Sequence, residues 1–172
     1  VINLITEQLD APSVWRGNLA SDIKLPVLDS LATVEVIRSV TDKALFIRDL
    51  NIKERFTGSD GRQVFLGTVN TAANAVHPEF SNVYEVSNVS TGGSTYVSFS
   101  LQRPMKNKWS YNLTYTLGNS TDALLLGETV AGSLFNRNPV FNQNRPQLAR
   151  SAFEIKNRIQ LSFAREFEFV KN

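Results

Sequence analysis

The strongest constraint on the fold is the strict alternation of apolar and polar residues in WSYNLTYTLG, positions 109–118. Its large residues all fall on odd positions: Trp109, Tyr111, Leu113, Tyr115 and Leu117. Successive side chains of a β-strand point to opposite faces of the sheet, whereas a helix cannot place five large apolar residues in this way. The segment is therefore predicted to be a strand with one apolar face.

A similar pattern recurs elsewhere in the chain, although the alternation is imperfect in 31–40 and 43–52. It is found, with many β-branched and aromatic residues, in 14–26, in 31–40 with its continuation 43–52, in 84–104 with a break at Gly92-Gly93, and in 153–167. The fold class is thus predicted to be all-β and antiparallel, with about five long strands. One alternative stays open, because PQLARSAFEIK (146–156) also permits a helix that starts at Pro146.

Composition excludes several classes of protein. A hydrophobic content of 42% in 172 residues argues against disorder. The absence of Cys excludes disulfide scaffolds, thiolate metal sites and cysteine nucleophiles. A net charge of +2 is too small for a nucleic-acid-binding surface, and no apolar run is long enough for a transmembrane helix. A transmembrane β-strand, however, needs only about 10 residues with every second one apolar.

The connections between the predicted strands alternate in length. Short turns at 26–30 and 104–108 alternate with long segments at 53–82 and 119–151, the first of which contains a small hairpin at Asp60-Gly61. Tight turns on one side and long loops on the other are typical of a transmembrane barrel. Five strands cannot close a barrel, so the chain is predicted to be a partial one.

The two faces of the predicted strands suit a lipid-facing exterior and a wet interior. The predicted membrane-interface aromatic residues are Trp109, Tyr111, Tyr115 and Phe163. The predicted lumen-facing polar residues are Arg16, Asp22, Lys24, Glu154, Lys156 and Arg158. Glu154 and Arg158 would lie about 13 Å apart on one strand face, as a charge ladder rather than a catalytic pair.

Three segments, in order, carry a resemblance to a known family. They are 14–37, from VWRGNLASDIKLP to LATVEVI; 94–122, STYVSFSLQRPMKNKWSYNLTYTLGNSTD; and 133–159, SLFNRNPVFNQNRPQLARSAFEIKNRI. Together they resemble the barrel of TonB-dependent receptors of the Oar-like branch. Phe135, Glu154 and Asn157 stand where that family has Trp, Asp and His, while Arg158 matches its Arg.

The resemblance implies a function in the outer membrane of a Gram-negative bacterium. Such receptors are barrels of about 22 strands around a plug, and they import a ligand with energy from the TonB complex. Residues 1–172 would be a fragment of that barrel. Its partners would be the remaining strands and the plug, TonB through the plug, outer-membrane lipid and an unknown ligand, with no nucleic acid, no cofactor and no enzymatic activity.

Candidate ligand contacts lie in the second long segment, because recognition residues concentrate on loops held by a rigid scaffold. They are Phe135, Asn136, Arg137, Asn138, Asn142 and Arg145. His77 is the only His and is interpreted as a loop residue, and GSDGR (58–62) as a hairpin turn rather than a calcium loop. The alternative function is a secreted or surface β-sandwich adhesion module.

Overall fold

A computed structural model describes residues 1–26, 29–65, 75–138 and 140–169. Within these ranges lie the strands β1 (Ile2–Ile5), β2 (Ser13–Leu25), β3 (Ser30–Asp49), β4 (Glu54–Thr57), β5 (Gln63–Phe65), β6 (Val83–Val89), β7 (Gly93–Lys106), β8 (Trp109–Asp122), β9 (Ala149–Arg150) and β10 (Asn157–Arg165), and the helix α1 (Ala131–Asn136). The chain is mostly β-sheet, so the prediction of an all-β fold is confirmed.

The hydrogen-bonded strand order is β1-β6-β3-β7-β8-β10, with β2 also paired to β3 and β9 to β8. β4 and β5 form a separate antiparallel hairpin, as predicted at Asp60-Gly61. β3 pairs antiparallel with β6, and β8 pairs antiparallel with both β9 and β10. The exception to the antiparallel prediction is β1, a short strand that pairs in parallel with β6.

The predicted strands differ from the observed ones mainly at their ends. The segments 31–40 and 43–52 form one strand of 20 residues, β3, and β7 continues through Pro104 to Lys106. The break at Gly92-Gly93 is confirmed, and Gly92 has a φ of 114°, which favours glycine. Residues 66–74 of the predicted long loop lie outside the described residues.

Near the end of the chain, the alternative helix does not form and one predicted boundary is wrong. No helix starts at Pro146; that segment contains β9, and the helix is the six-residue α1 instead. The last strand starts at Asn157 rather than 153, because the Glu154 side chain, and not its backbone carbonyl, accepts the hydrogen bond from the Ser120 backbone N–H. Residues 152–153 form a turn and residues 154–156 are irregular, although the Lys156 carbonyl still accepts a hydrogen bond from the Gly118 backbone N–H.

Contacts divide the chain into two units. The core unit comprises Val1–Trp15, Val40–Gly92 and Thr121–Ala152, and the sheet unit comprises Arg16–Ser39, Gly93–Ser120 and Phe153–Asn172. The core unit is built on a buried cluster of Ile47, Tyr84, Leu124 and Phe135. Gly132 brings α1 close to this cluster, since a Cβ there would lie 3.1 Å from Cε2 of Tyr84.

The sheet unit has a different organisation. It contains the major parts of β2 and β8 and half of β3, together with β7 and β10. Most large apolar residues of these strands remain exposed, whereas the fully buried apolar residues of the described chain belong to the core unit. The sheet unit therefore has two accessible faces.

Candidate functional site

One face of the sheet unit, here called the apolar face, carries large apolar residues on each of its five strands. Strand register places Ile159 opposite Tyr115, Leu161 opposite Leu113 and Phe163 opposite Tyr111. The face comprises Leu19 and Ile23 of β2, Val34 and Val36 of β3, Phe99 and Leu101 of β7, Leu113, Tyr115 and Leu117 of β8, and Ile159, Leu161 and Phe163 of β10. Leu19 is 78% exposed and Leu161 is 71% exposed, which is unusual for large side chains on one contiguous surface.

An aromatic cluster lies at one end of this face, beside the β7–β8 turn. The ring centroid of Trp109 is 5.7 Å from that of Tyr111 and 6.3 Å from that of Phe163. Tyr115 lies further along the same strand, and its hydroxyl donates a 2.9 Å hydrogen bond to Oδ1 of Asn157. The structure thus brings three of the four predicted interface aromatics together, and Tyr115 shares their face; their membrane role stays a prediction.

Arg103 fixes this end of the sheet. Its guanidinium lies 3.7 Å from the Trp109 ring centroid and donates hydrogen bonds to the carbonyls of Lys106 (3.0 Å) and Trp109 (2.8 Å). The side chain is 4% exposed, so its charge is enclosed by an aromatic ring and two carbonyls. Arg103 therefore positions Trp109 and closes the two-residue turn at Asn107 and Lys108, which both have positive φ.

Asp29 joins the two short turns of the sheet unit. Its Oδ1 lies 2.5 Å from Nζ of Lys106, and its Oδ2 lies 4.0 Å from the Arg103 guanidinium. The hydrogen bond from Lys106, helped by the two positive charges, holds the pKa of the Asp29 carboxyl below its ordinary value of 3.8. The contact links the β2–β3 connection to the end of β7.

Four of the six predicted lumen residues lie on the opposite face, here called the polar face. Arg16 donates to Oγ of Ser39 (3.2 Å), and Asp22 accepts a 2.6 Å hydrogen bond from Thr33. Lys24 lies on the same strand, and Arg158 lies on β10 opposite Thr116. Side chains on this face therefore bond to one another across neighbouring strands.

The prediction that Glu154, Lys156 and Arg158 lie along one face of the last strand is wrong. Only Arg158 belongs to β10, because Glu154 and Lys156 lie in the irregular segment before it. Both of those residues bind the backbone of β8, Glu154 through its side chain and Lys156 through its carbonyl. Glu154 and Lys156 therefore attach the segment that precedes β10 to β8.

The predicted ligand contacts divide between buried and exposed positions. Phe135 is 2% exposed, and its ring packs 5.6 Å from that of Tyr84, so it is a core residue that a ligand cannot reach. Asn138 is also buried; its amide binds the Ala123 carbonyl (3.1 Å) and the Leu125 N–H (3.3 Å). Arg137 is exposed and pairs with Glu128. Asn136 ends α1, exposed, and its carbonyl accepts from Gln143.

Asn142 and Arg145 attach the long segment to the β4–β5 hairpin. Oδ1 of Asn142 accepts a 2.9 Å hydrogen bond from the Gln63 backbone N–H, and the Arg145 guanidinium lies 3.6 Å from the Glu54 carboxylate. In addition, the Arg62 guanidinium lies 5.1 Å from the Phe141 ring centroid. The hairpin and the segment around Asn142 are thus joined by three contacts.

Sequence reasoning missed a buried polar network centred on Asp49. This carboxylate is 1% exposed and accepts hydrogen bonds from the Asn51 N–H (2.9 Å), the Val83 N–H (3.1 Å) and Nδ2 of Asn82 (2.6 Å). Asn144 bonds to both the N–H (2.7 Å) and the carbonyl (2.8 Å) of Asp49. The spacing Asp49-Leu50-Asn51, an Asx turn, was the one local signal for it.

The described residues contain no group of three or more His, Asp and Glu side chains arranged to hold a metal ion. Across the same ranges, no helix combines the length and apolarity needed to cross a membrane. Comparison with protein-family models, with curated proteins and with solved structures finds no match for this chain.

Proposed function

We propose that this chain is part of the barrel wall of a TonB-dependent receptor in the outer membrane of a Gram-negative bacterium. In this proposal the apolar face contacts lipid, and the polar face lines a hydrated interior. The whole receptor would take up a ligand with energy from TonB. Its plug and the remaining strands would complete the barrel.

The observation that carries the proposal is the exposure of the apolar face across all five strands of the sheet unit. Burial of large aliphatic and aromatic side chains is the main driving force of folding in water, so such a surface needs an apolar environment. The hydrocarbon core of a bilayer provides one. The opposite face, with Arg16, Asp22 and Arg158, requires water, and barrel walls combine these two requirements.

Two further features support the membrane environment. Trp109, Tyr111 and Phe163 cluster at the end of the apolar face where the short turns lie, as expected for residues at the level of lipid headgroups. Lys106, Lys108 and Asp29, which are charged, lie at or beside those turns. Polar turns that flank an aromatic belt are the arrangement expected at a bilayer surface.

The proposal is tested by the fluorescence of a single tryptophan in lipid vesicles. In the Trp15→Phe variant, Trp109 is the only tryptophan, and we expect brominated phosphatidylcholine to quench it strongly. The control adds Trp109→Phe and Ser162→Trp, which moves the tryptophan to the polar face of β10. That tryptophan should be quenched much less.

Equal quenching at the two positions, or no quenching at Trp109, would overturn the proposal. A monomer that stays soluble without detergent, with Trp109 protected and unquenched, would support the secreted or surface adhesion module. In that alternative, the apolar face is covered by a second layer of protein rather than by lipid.

A further inference from the structure

The polar face carries a pocket of about 280 Å³ that no part of the proposed function uses. It is lined by Tyr96, Thr116, Phe153, Ile155, Arg158 and Gln160, and we call it the Arg158 pocket. All six residues belong to the sheet unit. The volume suits a ligand built on a single ring, since it is below that of pockets for drug-sized molecules, roughly 300–1,000 Å³.

The apolar wall of this pocket is held in place by the backbone. Phe153 and Ile155 are 69% and 54% exposed, yet their segment is fixed to β8 by the bonds from Gly118 to Lys156 (2.9 Å) and from Ser120 to Glu154 (2.9 Å). The two side chains are therefore presented by an ordered turn. Exposed apolar groups on an ordered turn are a feature of binding surfaces.

Gly118 allows Tyr96 to form a second wall. A Cβ at Gly118 would lie 2.6 Å from Cε1 of Tyr96 and 2.6 Å from the Ile155 carbonyl oxygen. The Tyr96 ring therefore packs directly on the β8 backbone, beside the turn that carries Phe153 and Ile155. An aromatic ring fixed in this way offers a flat surface on which a ligand ring can stack.

Two polar side chains of the pocket, those of Arg158 and Gln160, are available to a ligand. Across the described residues, the Arg158 side chain makes no ion pair or hydrogen bond, and the Gln160 side chain makes no hydrogen bond. The two residues lie on the same face of β10, about 7 Å apart, so both side chains reach one region. A guanidinium binds a carboxylate through two parallel hydrogen bonds, and the neighbouring amide can donate another.

We propose that the Arg158 pocket binds a small carboxylate carried on a single ring, with the carboxylate on Arg158 and Gln160 and the ring against Tyr96, Phe153 and Ile155. The shared chemistry is a carboxylate attached to a single six-membered ring, which both aromatic acids and acidic sugars possess. The inference stands apart from the membrane proposal, because it depends on the polar face alone.

Calorimetric titration of the purified full chain tests the proposal with two pairs of probes. Benzoate and glucuronate are the acids, and benzamide and glucose are their neutral counterparts. We expect at least one acid to bind, with its neutral counterpart at least tenfold weaker. Binding of benzoate alone would assign an aromatic acid, and binding of glucuronate alone an acidic sugar.

Variants then locate the binding site. Arg158→Gln should weaken binding of the acid at least tenfold, and Arg158→Lys should retain part of it. The matched control is Arg16→Gln, which removes the same charge from the same face on β2 and should leave binding unchanged. Arg158 is exposed, so its replacement should leave the circular dichroism spectrum unaltered.

Three results would overturn the proposal: no binding of either acid, equal binding of an acid and its neutral counterpart, or unchanged binding in Arg158→Gln. Brominated-lipid quenching of Trp109 is measured on the same variants in the Trp15→Phe background. If lipid does not quench Trp109 but the acid binds, only the membrane proposal is refuted. If lipid quenches Trp109 but no acid binds, only the pocket proposal is refuted.

Discussion

At the scale of residues, asparagine amides connect the second long segment of the core unit to β3 and to the residues that follow β8. Asn144 offers its carbonyl oxygen and its amide nitrogen to the backbone of Asp49, and Asn138 does the same for Leu125 and Ala123. An amide placed in this way supplies the donor and the acceptor that a neighbouring strand would provide. The abundance of Asn in the second long segment therefore has a structural explanation at these positions.

Replacement of Asn144 tests this role. We expect Asn144→Ala to lower the free energy of unfolding by about 1–3 kcal/mol, because two backbone groups beside a buried carboxylate lose their partners. Asn3→Ala, at an exposed position on β1, should change it by less than about 0.5 kcal/mol. Urea denaturation followed by circular dichroism measures both variants, and equal effects would contradict the assignment.

The Asp29–Lys106 contact predicts a dependence on pH. The pKa of the Asp29 carboxyl is lowered in the folded chain by the hydrogen bond from Lys106, so the stability it contributes is present above the ordinary value of 3.8. That contribution should disappear as the pH falls through the lowered pKa. Titration followed by carboxyl-carbon NMR should show the Asp29 pKa rise in Lys106→Gln. An unchanged pKa in that variant would contradict the role given to Lys106.

At the scale of elements, the alternation of residues fixes which side of each strand meets which environment. Leu161 and Ser162 are neighbours on β10, both exposed, and they point to opposite faces of the sheet. A protein in water should tolerate arginine at either position. A barrel wall in lipid should tolerate it only at Ser162.

Paired substitutions therefore separate the two environments. In lipid vesicles, Leu161→Arg should lower the free energy of unfolding by about 2–4 kcal/mol if it lies near the bilayer centre, since the charge would enter hydrocarbon. Ser162→Arg should cost much less. Guanidinium unfolding of the reconstituted protein provides the measurement, and the same small effect at both positions would argue against lipid on the apolar face.

The same alternation explains how much of the fold could be predicted. It identified the strand pattern of β2, β7 and β8, because residues 15–25, 95–102 and 109–118 alternate with a period of two. It could not identify α1, whose six residues are too few for a helical period and which packs Phe135 against Tyr84 through a tertiary contact. It also missed β1, whose partner β6 lies about 80 residues away.

The candidate sites also differ in how much of them could be predicted from local sequence. The apolar face and the aromatic cluster follow from strand periodicity, which is local. The Asp49 network depends on partners such as Asn82 and Asn144, which are 33 and 95 residues away, so no sequence window contains it. Phe135 was assigned to an exposed loop because its segment is rich in Asn, yet its ring is the apolar anchor of that segment.

At the scale of the whole molecule, the chain contains two kinds of apolar surface. In the core unit, Ile47, Tyr84, Leu124 and Phe135 pack on one another. In the sheet unit, side chains such as Leu19, Ile159 and Leu161 are more than two-thirds exposed. The 42% hydrophobic content is therefore not a measure of the interior. The core unit can gain stability from its own packing, whereas the sheet unit depends on its surroundings.

The two-residue turn at Asn107 and Lys108 bears on the order in which the chain folds. It joins two strands of 14 residues each, so β7 and β8 can pair after closing a minimal loop. Closure of longer loops costs more conformational entropy, and hairpins form within about 1–10 μs. We expect the β7–β8 hairpin to nucleate folding, with the distant pairings β3–β6 and β1–β6 forming later.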